Sequence, residues 1–258
     1  MSLISRAAHA VGSFISGVGS AICSGVGSLC SAIAGTSLGG ALTGAVSKLV
    51  GVIGVAFPPL EIINAIIVVA TIVAKIAEAL GVKEKDKDEP DELAMKAEKA
   101  DKKPEDFDST EAYIKYLQDE VQLTDEEKEK LKNMDDEKRA AYRATGTYLY
   151  TKGINEKLGF DQTGMKNPEL VGITAEILTD LAKLEKILAP SDVVVYAKHL
   201  HSAGLSMNDF SNYLHNSSES VSIDKKVQNS LVEGMKEIDP NISDDDIDQK
   251  LIDLTIED

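Results

Sequence analysis

Bulky apolar residues recur at helical spacing through the first part of the chain. They follow one another at intervals of three or four residues, which predicts one face of an α-helix. The pattern also repeats every eleven residues, a period that leaves a helix nearly straight. Two neighbouring stripes keep the same rhythm with Gly, Ser, Cys and Ala. The sequence therefore predicts a Gly-rich amphipathic helix over residues 1–37. Its bulky stripe consists of Val11, Ile15, Val18, Ile22, Val26, Leu29 and Ile33.

Glycines accompany this pattern and need a physical reason. Each glycine inside a helix costs about 1 kcal/mol relative to alanine, so close packing must offset their presence. Small residues three or four apart let two helix backbones approach closely, as they do in membranes. A flexible Gly/Ser-rich tail is the alternative, but a tail gives bulky residues no reason to keep a helical phase. We predict helix packing at Gly12, Gly19, Gly27, Gly35, Gly39, Gly40 and Gly44.

Residues 38–82 are almost continuously hydrophobic and predict a helical hairpin, divided by two prolines into arms over 41–57 and 60–81. The arms would reach roughly 26 and 33 Å, which brackets the hydrocarbon thickness of a bilayer. The second arm is apolar on every side, which is typical of a helix buried in lipid or in protein. Burial in the core of a water-soluble form stays open, and it is compatible with later insertion. The predicted membrane-insertion residues are Phe57, Pro58, Pro59, Ile66, Ile67, Val68 and Val69.

Charge divides the 258-residue chain into two parts. Residues 1–82 carry a net charge of +1 and residues 83–258 carry -17, which together give -16. Phosphate binding needs a cationic surface, so nucleic acid is not expected as a partner. The mixed charges of residues 83–108 predict a solvated linker with one short helix over 91–100.

Repeated helix-start signals predict an acidic α-helical domain over residues 109–258. One is a capping box from Thr124 to Glu127, and the central packing helix is expected over 169–188. Gly81 is expected to end the second hairpin arm. The predicted fold class is all-α.

Catalytic and metal-binding patterns are weak. The Gly17-Val18-Gly19 sequence lacks the third glycine of a dinucleotide-binding fingerprint. His199 and His201 lie two residues apart on a predicted helix and so point to different faces. The acidic run beginning at Asp239 lacks the glycine and the final glutamate of an EF-hand loop. We therefore predict that the protein is not an enzyme and needs no cofactor and no metal.

The glycine stripes from Gly12 to Gly44, followed by the hairpin around Phe57-Pro58-Pro59, resemble the membrane-active parts of glycine-zipper bacteriocins and secreted pore-forming effectors. They are also similar to the Gly-rich amphipathic ends of phage DNA-ejection (pilot) proteins. The resemblance is one of composition and covers residues 1–82. It implies a protein that is delivered to a membrane and forms a homo-oligomer there.

Two functions follow as expectations. The first is a membrane-inserting, self-assembling protein that forms pores or perturbs a lipid membrane after secretion or delivery. Its acidic domain would maintain solubility, bind a protein partner or time release. The alternative is a non-enzymatic component of a virion or injection apparatus, whose Gly-rich helices pack into a homo-oligomer or tube.

Overall fold

The structure is a computed structural model that describes residues 17–58, 61–160, 171–218 and 220–256, except for the side chains of residues 35–38. Within these ranges the chain forms α-helices and a short 3-10 helix at Pro104–Asp106, with no β-strand. The predicted all-α fold class is confirmed. The helices are α1 (Gly17–Ala56), α2 (Ile62–Ala79), α3 (Pro90–Lys99), α4 (Thr110–Asp119), α5 (Asp125–Lys132), α6 (Asp136–Leu158), α7 (Ala175–Lys183), α8 (Pro190–Ser202), α9 (Met207–Leu214), α10 (Val221–Ile238) and α11 (Asp244–Asp253).

Local capping signals set several helix ends. The Thr124 hydroxyl accepts a hydrogen bond from the Glu127 backbone N–H at 3.2 Å, and the Glu127 carboxylate accepts one from the Thr124 N–H at 2.7 Å. This confirms the predicted capping box at the start of α5. Gly81 follows α2 with a φ of +71°, a left-handed conformation that favours glycine and closes the helix.

The chain forms two compact units, residues 1–153 (unit 1) and 154–258 (unit 2), and their boundary lies within α6. These units differ from the predicted domains, which placed a solvated linker at 83–108 and the C-terminal domain at 109–258. Helix α3 lies inside that predicted linker, but Leu93, Ala94 and Ala97 on it are fully buried. An apolar helix face needs a partner, so α3 belongs to the core of unit 1.

Unit 2 carries a net charge of -11, from 9 Lys against 20 Asp and Glu. Helices α8 and α10 cross closely at Gly234, where an added Cβ would lie 2.6 Å from the Tyr196 ring. Helices α7 and α9 are joined through the buried Asp180 carboxylate. It accepts a hydrogen bond from the Ser211 hydroxyl at 2.7 Å and contacts the His215 Nε2 at 2.9 Å.

The predicted helix over 169–188 is wrong in length, because α7 begins only at Ala175. Just before α7, the Ile173 backbone is bound by the Asn155 side chain, which accepts a hydrogen bond from the Ile173 N–H at 2.8 Å and donates one to the Ile173 carbonyl at 2.9 Å. Gly172 packs so closely that an added Cβ would lie 2.7 Å from the Phe160 Cβ. These contacts hold the backbone before α7 in a non-helical conformation.

Candidate functional site: the apolar helices of unit 1

Helix α1 consists of two apolar segments, Gly17–Ala34 and Gly39–Ala56, which fold back on one another. From here on they are called the first and second arm of the α1 hairpin, which is distinct from the hairpin predicted over 38–82. A Cβ added to Gly39 would lie 3.2 Å from the Ser31 Cα, although eight residues of straight helix span about 12 Å. One helical turn further from the reversal, an added Gly27 Cβ would lie 3.9 Å from the Thr43 Cγ2. The next pair is Cys23 with Ser47, whose side chains lie next to one another. Steps of four in opposite directions identify an antiparallel pair.

The three stripes of the first arm face three different environments. Ile22, Val26, Leu29 and Ile33 are buried in the core of unit 1. The adjacent small residues, among them Cys23 and Gly27, face the second arm. The third stripe is exposed and consists of Ser20, Ser24, Ser28 and Ser31.

Small residues permit this close approach between the two α1 segments of one chain. Helix α1 also packs on α6, because an added Gly25 Cβ would lie 3.1 Å from the Ala141 Cβ. The Cys30 side chain lies next to that of Thr145 on the same helix.

Helix α2 forms a third apolar segment and follows the second arm after the predicted Phe57–Pro59 break. An added Cβ at Gly54 would lie 3.7 Å from the Ile62 Cδ1, which places the end of α1 beside the start of α2. The α2 helix buries ten of its eighteen residues, with Ile66 at 2% and Val69 at 1% exposure, whereas Ile67 is 38% exposed. Its remaining outer positions include Thr71 and Lys75, both exposed.

Several hydroxyl groups on these helices donate hydrogen bonds to backbone carbonyls of their own helix. The Ser31 hydroxyl donates to the Gly27 carbonyl at 2.8 Å, the Thr43 hydroxyl to the Gly39 carbonyl at 2.7 Å, and the Thr71 hydroxyl to the Ile67 carbonyl at 2.9 Å. A hydroxyl that donates to the carbonyl four residues earlier keeps this hydrogen bond in any environment in which the helix stays folded. These polar groups are therefore compatible with a non-aqueous environment.

An ionic cluster (Asp88, Asp91, Lys96, Arg139 and Arg143) holds α3 in place within unit 1. The Asp91 carboxylate, 2% exposed, accepts from Arg139 Nε at 2.8 Å and from Arg143 Nη2 at 3.1 Å. The Lys96 ammonium donates to the Asp88 carboxylate at 2.8 Å. At α3's N-terminus, Gly146 on α6 lies so close that an added Cβ would overlap the Pro90 carbonyl group.

Tyrosines complete the connection between α6 and the charged helices. The buried Tyr150 hydroxyl donates to the Asp88 carbonyl at 2.8 Å and accepts from the Gln118 amide at 3.2 Å. Burial raises the pKa of Tyr150. Burial and a hydrogen bond donated to the Glu98 carboxylate raise the pKa of Tyr142. Both phenols are therefore neutral at physiological pH and act as hydrogen-bond donors here.

A side chain outside the helices also holds α1 in unit 1. The Lys103 ammonium, just before the 3-10 helix, donates to the Ala32 carbonyl at 2.8 Å. At the other end of the apolar region, the buried Lys83 contacts the carboxylates of Glu78 at 3.5 Å and Glu89 at 3.9 Å. Charged groups thus border the apolar helices at both places.

The predicted helix-packing glycines occupy unlike positions. Gly19 and Gly39 are buried and Gly27 is half-buried against the second arm. Gly40 and Gly44 are exposed, and an added Cβ at either would meet open space. Gly12 and the surroundings of Gly35 lie outside the described residues.

The predicted insertion residues are also divided between the core and the surface. Ile66 and Val69 face the core, Val68 and Phe57 are half-buried, and Ile67 and Pro58 are exposed. Pro59 lies outside the described residues.

The sequence predicted a boundary between a helix over 1–37 and the next segment, but not that the two segments fold back on one another there, and it did not predict the ionic cluster. The reversal lies in Gly35-Thr36-Ser37-Leu38-Gly39-Gly40, whose paired glycines are also a turn signal. The cluster could have been suspected from Arg139 and Arg143, which lie four residues apart and so share one helix face. Nothing local marks their partner Asp91, which lies 48 and 52 residues earlier.

The described residues contain no group of three or more His, Cys, Asp or Glu side chains placed to hold a metal ion. By length and composition, three helical segments could each cross a membrane: Gly17–Ala34, Gly39–Ala56 and Ile62–Ala79. The chain matches no protein-family model, no curated protein and no solved structure.

Proposed function

We propose that this protein inserts into a lipid membrane and assembles there, forming a pore or perturbing the bilayer. The observation that carries the proposal is the set of three consecutive apolar helical segments in unit 1. Each has 18 residues and would reach about 27 Å, close to the hydrocarbon thickness of about 30 Å. The strongly acidic unit 2 would stay in water, because charged side chains are costly in hydrocarbon.

The outer surface of the α1 hairpin supports this proposal. Residues 17–47 contain no charged side chain, and fewer than half of the residues in either α1 segment are buried. The exposed positions carry mainly Ser, Ala and Gly, with hydroxyls such as that of Ser31 satisfied within the helix. Such a surface tolerates water and also tolerates lipid, where unsatisfied polar groups are excluded.

Insertion from the folded form requires the apolar segments to separate from α3 and α6. The packing around Leu93 opposes that separation, whereas the bilayer would replace the apolar contacts that α1 and α2 lose. The ionic cluster joins α3 to α6 and would keep these two helices together outside the membrane. A charged boundary at Lys83 and Glu84 would mark where the chain leaves the membrane after α2. The protein thus has the parts expected of a soluble precursor that inserts late.

Assembly without a membrane is the second candidate. The exposed Ser, Ala and Gly positions of α1 would also allow copies of the chain to pack closely in a virion or injection apparatus. In that function α2 would stay enclosed by protein, and adding lipid would leave its environment unchanged.

The deciding experiment measures depth with a polarity-sensitive fluorophore on the full-length chain. Cys23 is replaced by Ser and Cys30 by Ala, and Ile67→Cys then supplies the single cysteine for labelling. Ile67 lies on α2 and is 38% exposed. We expect its emission to shift to that of an apolar environment when liposomes are added, together with release of an entrapped dye. The matched control is a label at Ser191 on the exposed start of α8, which should stay wet. An unchanged signal at Ile67 and intact liposomes would favour assembly without a membrane.

A further inference from the structure

The place where α1 passes into α2 exposes apolar side chains without charge. Residues 49–60 contain no charged residue. Within them, Val55, Phe57 and Pro58 define an apolar end of unit 1, in which Val55 is 60% exposed, Pro58 is exposed and Phe57 is half-buried. In the described part of unit 1, the other exposed large apolar side chain is Ile67, about 8 Å along α2 from its start. Both exposed large apolar side chains therefore lie near this end.

Charged groups lie one helical segment away from the apolar end, in both directions along the chain. Toward the N-terminus, the second arm leads back to the reversal, where the Lys103 ammonium donates to the Ala32 carbonyl at 2.8 Å. Toward the C-terminus, α2 leads to Glu78, whose carboxylate lies 3.5 Å from the ammonium of the buried Lys83. Each segment has 18 residues and is about 27 Å long.

Connectivity sorts these places across a bilayer, because consecutive spanning segments alternate in direction. If the second arm and α2 both span, the apolar end lies on one side, and the reversal and Lys83 lie on the other. Residues 83–258 carry a net charge of -17, so they stay on the side from which the protein approaches. The apolar end takes one charged neighbour with it, Glu61. A spanning first arm would also take residues 1–16 across, which hold Arg6 and no other Lys, Arg, Asp or Glu.

We propose that the apolar end is the membrane-entry surface of this protein, which contacts the bilayer first and crosses it while the reversal stays on the side of unit 2. This inference rests on the proposed membrane insertion. The partner of this surface is the hydrocarbon region of the bilayer, because exposed apolar side chains such as Val55 and Phe57 gain free energy when they leave water. Carrying Glu61 across is a cost of this orientation.

The first test maps the side of the bilayer that each place reaches in the full-length protein. Val55→Cys or Gly40→Cys supplies a single cysteine in a Cys23→Ser, Cys30→Ala background, and both positions are exposed in the soluble form. Phosphatidylcholine liposomes that have bound the protein are isolated by flotation, and a poly(ethylene glycol) maleimide is added outside. Its size is chosen so that the liposomes retain an entrapped dextran of similar size. Gly40→Cys should react at once, and Val55→Cys only after detergent is added.

The second test places a charge on the entry surface. Val55→Asp should slow dye release from liposomes by about tenfold or more, because an aspartate is costly in hydrocarbon. The matched control is Ile252→Asp, which puts the same charge on a residue of similar exposure, 66%, in unit 2 and should leave release unchanged. Glu61→Gln removes the charge that follows the apolar end and should speed release.

The outcomes separate the entry surface from the function on which it rests. Dye release with Val55→Cys open to the outside reagent, or with Gly40→Cys protected from it, would overturn the orientation and leave membrane insertion intact. Equal release by Val55→Asp and the wild type would overturn the entry surface in the same way. A wild-type protein that neither floats with liposomes nor releases their contents would overturn the proposed function and this inference together.

Discussion

Glycines in this chain have opposite roles that only their surroundings distinguish. Gly146 has no room for a side chain, because a Cβ would overlap the Pro90 carbonyl group at the start of α3. Gly44 lies on the exposed side of α1 and faces open space. Both are helical and both lose about 1 kcal/mol of helix propensity relative to alanine. Their alanine variants should therefore change stability in opposite directions.

We expect Gly146→Ala to destabilise unit 1 by about 1–3 kcal/mol, the range for overpacking in a close-packed interior. Gly44→Ala, its matched control, should stabilise the soluble form by up to about 1 kcal/mol. Hydrogen exchange of the α3 and α6 peptides in the full-length protein would measure both effects. Equal protection of α3 in the Gly146 variant and the wild type would show that the close approach to Pro90 is unimportant.

Charge burial gives a second prediction for a single residue. Asp91→Asn should destabilise the packing of α3 by about 3 kcal/mol, because it leaves Arg139 and Arg143 facing a neutral group in a largely buried site. Asp101→Asn changes an exposed aspartate close to the end of the same helix and should have an effect within about 0.5 kcal/mol. Chemical denaturation of the two variants, followed by circular dichroism, makes the comparison. A loss of similar size in both would argue against a specific contribution from the ionic cluster.

At the scale of helices, the hydrophobic pattern indicated which helix faces are buried, but not which helices pack against one another or where the chain reverses. The bulky stripe through Ile22 and Ile33 is buried, as its spacing indicated, and the small residues beside it meet a second helix. The identity of that helix was not predictable, because a small-residue stripe fits a copy of itself as well as a neighbouring segment. The glycines at positions 35, 39 and 40 are typical both of a small-residue packing stripe and of a turn. The sequence alone therefore does not distinguish a continuous helix from the reversal after Ala34.

The arrangement of the arms can be tested by a cysteine crosslink. Ser47→Cys in a Cys30→Ala background should form a disulfide with Cys23 inside one chain, because the side chains of Cys23 and Ser47 already lie next to one another. Mild oxidation should give a monomer with altered mobility on a non-reducing gel. Adding Gly39→Leu, which forces a bulky group against Ser31, should reduce the crosslink, whereas Gly40→Leu should leave it unchanged. A predominantly dimeric product would instead indicate that the small-residue stripe pairs between chains.

At the scale of the molecule, the change in charge along the chain and the boundary between the two compact units fall at different residues. The composition changes sharply at residue 83, but the apolar faces of α3 and α6 are needed to complete the unit that contains α1 and α2. The burial of Leu93, Ala94 and Ala97 depends on tertiary packing. A few apolar residues with this spacing on a charged helix can equally lie on a solvent-exposed surface, so the local sequence does not indicate burial. Recognising α3 as part of the core therefore required the long-range partners of Asp91 as well as its own sequence.

This division predicts how a truncated chain behaves. A fragment of residues 83–258 retains unit 2 but removes α2 and also α1, against which α3 packs. Residues 83–153 of the fragment should therefore lose protection, because a small set of amphipathic helices without its apolar partners buries too little surface. Limited proteolysis should degrade this part first and leave a resistant helical core within residues 154–258. In the full-length protein, α3 should resist the same protease. If residues 83–153 were equally resistant in the fragment, the acidic part of the chain would fold as one domain independently of the apolar helices.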